Sequence, residues 1–212
     1  MPLHRVGLRN AYAPPRPCEV QTVNGKDIRA WSSAALAGHR EAHAKLTAPT
    51  QRFFAEEDVA GREPKATTLR TGNVSSATPL QIEGVTTVST QDLARALKRR
   101  DPPLVIDLDS HEDVIPLARS LYLGGLAFDN AASERDYQHR FAGLMKLLIP
   151  DMSKPLVFYC RDRHCWAAVN AALRAKRLGY AQVAWYRGGL ASWKAAGLPV
   201  ATAVVKAVAH PP

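Results

Sequence analysis

Three short apolar runs most restrict what this chain can fold into: "LVIDLD" at 104–109, "KPLVFYC" at 154–160 and "AQVAWY" at 181–186. Each is apolar at successive positions rather than alternately, the pattern of a strand covered on both faces. Between and around them lie helical stretches. "STQDLARALKRRDPP" offers Ser89 or Thr90 as an N-cap and ends in a proline pair. "SERDYQHRFAGLMKLL" places Tyr137, Phe141, Leu144 and Leu148 on one side. "CWAAVNAALRAKRLGY" is a helix stopped at Gly179, and "GGLASWKAAG" is a shorter one. Strands alternating with helices imply an α/β fold: a parallel sheet covered by helices on both faces.

Residues 1–80 read differently and predict a separate extended arm ahead of a domain over 81–212. "YAPPRPCEV" is stiffened by proline. "DIRAWSSAALAGHREAHAKL" predicts one helix near 30–46, with Trp31, Leu36, His39, His43 and Leu46 roughly on one face. "EEDVAGREPKATTLRTGNVSSATPL" is polar and without period, the pattern of a linker. One helix with a narrow apolar face cannot form a core alone, so the arm is expected to dock on partner proteins.

The formal charge is +9, but the basic residues are spread along the chain without a dense block. That pattern suits a solvated basic surface, with an anionic membrane surface as a further candidate partner; nucleic acid is not expected. No apolar run is long enough to cross a bilayer. The first acid is Glu19, after Arg5, Arg9 and Arg16, an Arg-rich start that resembles a mitochondrial presequence. A basic arm lying on a surface is the equal alternative, and bacterial periplasm or cytoplasm the alternative location.

Of the three cysteines, at 18, 160 and 165, two flank Arg161, Asp162, Arg163 and His164. Cys160 ends an apolar strand and a helix begins a few residues later. Ligand crevices of open α/β sheets lie at such carboxyl ends. Loop amides, the helix N-terminus and the neighbouring cations would favour a thiolate there, suited to attack on sulfur. An inert, half-buried thiol is the plainer reading. Cys165 is either a resolving thiol, closing a disulfide on Cys160 or taking over its persulfide, or a small buried residue at a helix start. Two cysteines without a second pair do not make a zinc site, and no metal or cofactor is expected. An arginine six residues after the cysteine, which a phosphatase loop needs to hold phosphate, is replaced by Trp166.

The stretch from about 85 to 201 resembles a rhodanese-like domain. "LVIDLD" is similar to the family's first-strand signature, with Asp107 in the acid position. "FYC" is similar to the strand that ends in the catalytic cysteine, and "LGYAQVAWYRGGLASWKAAGLPV" to the C-terminal signature. "CWAAVNAALRA" most resembles bacterial Cys-x-x-Cys-Trp motif proteins associated with quinoprotein-dependent catabolism. The resemblance implies that Cys160 accepts a sulfane sulfur, as a persulfide cradled by loop amides, and passes it to a thiol or cyanide. It places Arg161, Asp162, Arg163, His164 and Trp166 around the bound sulfur and makes Asp107 a buried structural residue that shapes the loop.

The chain departs from the family pattern in three places. Arg163 stands where a central glycine is common, Trp166 where small residues are usual, and Asp109 where the family often has arginine. Arg163 is expected to distort the cradle and Trp166 to narrow its mouth. The expected function is therefore an accessory, interaction-type subunit of a larger assembly with an altered loop. The alternative is a sulfurtransferase, or a persulfide- or disulfide-exchange enzyme, that uses Cys160.

Overall fold

The computed structural model describes residues 22–23, 26–27, 65–109 and 112–202. The helix expected near 30–46, the arginines of the N-terminus and Cys18 lie outside the described residues. Two short strands, β1 (Thr22–Val23) and β2 (Lys26–Asp27), pair antiparallel.

Five strands form the main sheet, in the order β5 (Thr86–Val88), β10 (Val183–Tyr186), β9 (Leu156–Tyr159), β6 (Leu104–Asp107) and β8 (Arg119–Ser120), all parallel. The apolar runs take its three inner positions, where both faces are covered. β9 is the middle strand and every one of its residues is buried. Two further small pairings lie outside this sheet. β3 (Lys65–Ala66) pairs with β4 (Gln81–Ile82), and β7 (Asp113–Val114) with β11 (Ala201–Thr202).

Helices cover both faces and divide the core in two. On one side α2 (Ala131–Leu148) and α3 (Trp166–Arg177) bury Phe141, Met145, Trp166, Val169 and Leu173 against Phe158 and Trp185. On the other, α1 (Thr90–Ala96) and α4 (Gly189–Ala195) bury Leu93, Leu190 and Trp193 against Val105, Val157 and Tyr186. The cap of α1 is Ser89, whose hydroxyl accepts from the Asp92 amide at 3.1 Å. The apolar face of α2 differs from the expected one: Phe141 and Met145 are the buried residues, whereas Leu148 is exposed. Leu148 is the last residue of the helix, and its neighbour Ile149, at the C-cap, takes the buried position instead. Among the described residues, no helix is long and apolar enough to cross a membrane.

The polar stretch expected as a linker behaves otherwise from Lys65 onward. Ala66 and Thr78 are buried, and residues 70–79 lie across the start of α3 as a strap. The Arg70 amide donates to Asn170 Oδ1 at 2.9 Å, and Asn170 Nδ2 donates back to the Arg70 carbonyl at 3.0 Å. Its fixation comes from backbone atoms, whose pairing is independent of apolar period.

Candidate active site

β9 delivers Cys160 to the carboxyl edge of the sheet, and the chain turns through Arg161–His164 before α3 begins. Cys160 and Cys165 are joined by a disulfide, their Cα atoms 6.1 Å apart. Both are almost fully buried, at 3% and 4% exposure. A cleft of about 240 Å³ nevertheless reaches both residues. Its walls are largely apolar, with Val74, Leu108, Leu121, Tyr122, Leu126 and Tyr137, and Asp109 and Arg161 bring charge to it.

The loop is held from three directions. From below, the Leu190 and Ala191 amides at the start of α4 donate to the carbonyls of Cys160 and Arg161, at 3.0 and 2.8 Å. Gly189 permits this approach: it has φ +62°, and a Cβ there would stand 2.7 Å from the Asp162 nitrogen. From within, the Asp162 side chain accepts from the His164 amide at 2.7 Å, and its carbonyl accepts from the Cys165 amide at 3.3 Å. From above, the strap takes the rest. Thr78 donates through its amide and hydroxyl to the Arg163 carbonyl, at 3.0 and 2.6 Å. Val74 accepts from the Trp166 amide at 2.8 Å, and Ser75 forms a β-bridge with Cys165.

This geometry revises several expectations. Loop amides are expected to cradle a sulfur, but those of His164, Cys165 and Trp166 are spent within the loop and on the strap. Arg163 does not strain the loop: among the described residues the only non-glycine with positive φ is Leu117. Trp166 does not narrow the mouth of the cleft. Its ring is buried in the core, its Nε1 donates to the Ala77 carbonyl at 3.1 Å, and the Arg70 guanidinium lies 5.1 Å from the ring centroid. It anchors the strap instead. His164 is exposed, and Arg161 Nη2 donates to Ser75 Oγ at 2.9 Å.

Asp107 ends β6 opposite Tyr159, beside the loop, and is 2% exposed. Its Oδ1 accepts from the Asp109 amide at 3.0 Å, while Oδ2 makes no hydrogen bond of ordinary geometry. It therefore shapes the turn after its own strand, where the sequence predicted a partner for the Cys160 loop. Burial pushes its carboxyl up to about 7; the Asp109 amide opposes that shift and the Asp109 charge adds to it.

Asp109, which the sequence marks as a departure from the family pattern, and Arg174, which sequence reasoning missed, complete the site. Asp109 Oδ2 lies 3.8 Å from Cys160 Sγ and 3.9 Å from Arg161 Nε. Arg174, wholly buried in α3, holds one wall of the cleft. It pairs with Glu134, and donates to Gln138 Oε1 and the Leu126 carbonyl, each at 2.7 Å. Its signal in the sequence was only a basic residue in an alanine-rich helix.

The family model of the rhodanese-like domain matches residues 89–196, just over half of the chain. The chain belongs to the rhodanese-like domain family. Solved structures of similar fold include the thiosulfate sulfurtransferase of Pseudomonas aeruginosa, with 15% identity and a TM-score of 0.39. That match covers 56% of this chain and 20% of the other, so the rhodanese-like chain spans a fifth of that protein's length. The BH2092 protein of Bacillus halodurans has 21% identity, coverage of 55% and 77%, and a TM-score of 0.42. Protein hp1203 of Helicobacter pylori has 15% identity, coverage of 58% and 96%, and a TM-score of 0.37. No curated protein matches the chain.

Proposed function

We propose that this rhodanese-like domain exchanges sulfur through the Cys160–Cys165 pair, alternating between a dithiol and a disulfide. The observation that carries the reading is the disulfide itself, joining the strand-end cysteine to the helix-start cysteine at the foot of a cleft. In the dithiol form, one thiolate attacks the outer sulfur of a persulfide donor, becomes a persulfide and releases the donor's thiolate. The other thiol then gives up its proton and attacks the inner sulfur. The S–S bond closes between Cys160 and Cys165, and hydrosulfide leaves. The sulfane sulfur is reduced by two electrons and the pair is oxidised by two. An external dithiol, such as a protein Cys pair, resets it by two exchange steps.

The apolar walls of the cleft suit a sulfur atom carried on an uncharged group. The Asp109 carboxylate beside Cys160 opposes a dianion, so weak or absent thiosulfate:cyanide activity belongs to the same reading. The Cys165–Trp166 step likens the chain to the quinoprotein-associated proteins, and we include that kinship in the proposal. An accessory-subunit role in mitochondria, with residues 1–80 as the docking arm, rests on sequence alone, and residues 65–80 of that arm pack on the domain itself; the exchange reading stands ahead of it.

The test compares the reduced wild-type chain with Cys160→Ser and Cys165→Ser after exposure to a small organic persulfide. The expected wild-type result is hydrosulfide release with closure of the disulfide, while at least one variant retains an added sulfur. A wild-type chain that stays a dithiol and takes up no sulfur would overturn the proposal.

A further inference from the structure

The two sulfurs of the pair sit in opposite electrostatic surroundings. Cys160 Sγ has the Asp109 carboxylate 3.8 Å away. Asp107 fixes the backbone of Asp109 by accepting its amide, while its own register partner Tyr159 packs in the cluster on the other face of the sheet. A like charge at that distance disfavours a thiolate. Arg161 offsets part of this, but its Nε is 3.9 Å from the carboxylate and its Nη2 is engaged by Ser75. The amides of Leu190 and Ala191 give Cys160 Sγ little help, because they are already bonded to loop carbonyls.

Cys165 occupies the N-cap of the twelve-residue α3, in the extended conformation that such a position takes. No side chain caps this helix, and its first turn contains no acid. A sulfur in a disulfide is a poor acceptor, whereas a thiolate at the N-cap accepts from the helix amides and meets the positive end of the dipole. The Val74 carbonyl takes the Trp166 amide and weakens this field without supplying an acid. The cation nearest in the chain is Arg163, the His164 imidazole is the adjacent titratable group, and Arg70 lies over Trp166; Asp162 turns its carboxyl to the His164 amide.

We infer that, in the reduced pair, Cys165 rather than Cys160 carries the thiolate and opens the exchange, with Asp109 as the positioning residue that keeps Cys160 protonated until it resolves the intermediate. This rests on the exchange reading above, but the ionisation order can be measured without any turnover. The family position of Cys160 then belongs to the resolving thiol, and the persulfide forms first on Cys165. Closing the disulfide requires Cys160 to release its proton to solvent or to the carboxylate beside it as it attacks Cys165 Sγ.

The experiment is alkylation of the reduced, full-length wild-type chain with iodoacetamide across pH 5–10 (about the range of perturbed thiols), each thiol being followed by the mass of its own peptide. The expected result is an apparent pKa for Cys165 at least about one unit below that of Cys160. Asp109→Asn should lower the Cys160 value by about one unit and leave that of Cys165 unchanged. Asp109→Ser provides the same readout should the amide disturb the turn. Labelling of Cys160 first, or a Cys160 profile that ignores both substitutions, would overturn the inference. Failure of sulfur exchange with the predicted ionisation order intact would instead count against the exchange reading.

Discussion

Gly189 and Cys160 are in direct backbone contact across the turn that carries the disulfide. A Cβ on Gly189 would stand 2.7 Å from the Asp162 nitrogen and 2.8 Å from the Arg161 carbonyl carbon, and closer still to the Cys160 oxygen. The atoms met are backbone, which cannot rotate away. α4 can therefore aim its amides at the loop only with glycine at its first residue.

Gly189→Ala is expected to destabilise the domain by about 2–4 kcal/mol, combining positive-φ strain with displacement of the loop. Urea unfolding measures the loss. Non-reducing peptide mapping should also show less Cys160–Cys165 cross-link in the variant, because the two cysteines depend on this turn for their spacing. Wild-type stability with a complete cross-link would contradict the argument.

Asp107 makes stability depend on pH. An aspartate in the unfolded chain titrates near 3.9, whereas burial pushes the folded group up to about 7. Between these values the folded state binds more protons than the unfolded state, so stability falls as pH rises from about 4 to about 7 and stays lower above. Asp107→Asn keeps an acceptor for the Asp109 amide and removes the titration. The variant should be roughly 2–4 kcal/mol less affected than the wild type when unfolding is compared at about pH 4.5 and about pH 8, on either side of most of that titration. Identical pH dependence in the two proteins would mean that Asp107 is not the group responsible.

Arg174 and Glu134 tie α3 to α2 and to the cleft wall. Burial alone would raise the Glu134 pKa, but hydrogen bonds from Arg174 and the Phe128 amide, with the Arg174 charge, outweigh it and lower it overall. The pair's contribution is thus present above the ordinary glutamate range and is lost as pH falls through the depressed folded value. Glu134→Ala leaves a wholly buried guanidinium without its carboxylate and is expected to cost about 3 kcal/mol, read by urea unfolding at neutral pH. A change under about 0.5 kcal/mol, the size of an exposed ion pair, would show the pairing to be dispensable.

The strap depends on Trp166. Trp166→Phe keeps an aromatic ring, though a smaller one, and removes the bond to the Ala77 carbonyl, with an expected cost of about 2–3 kcal/mol from the lost bond and the void left in the core. Limited proteolysis should then cut within residues 70–79 sooner than in the wild type, while the sheet and α3 remain intact. Equal cutting rates would place the anchoring elsewhere, on Asn170 or Arg187, which also hold strap carbonyls.

What the sequence disclosed follows from where the stabilising atoms are. The runs ending at Asp107, Cys160 and Tyr186 are buried by side chains, so their apolar character announced three strands, and the helices between them fixed a parallel sheet. The edge strands β5 and β8 contain Thr86, Thr87, Arg119 and Ser120, and exist through backbone pairing to β10 and β6. Side-chain identity says little about such pairing. The strap has the sequence pattern of a linker for the same reason: Val74, Ala77, Thr78 and Pro79 act through main-chain carbonyls. At the site, the pairing of Cys160 with Cys165 was one of the alternatives that their spacing left open. The position of Asp109 depended on how the chain leaves β6, and the burial of Arg174 on a partner 40 residues away.

The central claim is that Cys160 and Cys165 form an exchanging pair and not a fixed structural bond. The direct measurement equilibrates the folded, full-length chain in glutathione buffers of graded ratio, traps thiols by alkylation, and quantifies the two cysteine peptides by mass. The account predicts that both thiols appear together, reversibly, with the fold intact by circular dichroism throughout. A disulfide that opens only when the protein unfolds, or two cysteines that stay reduced under oxidising buffers, would contradict it.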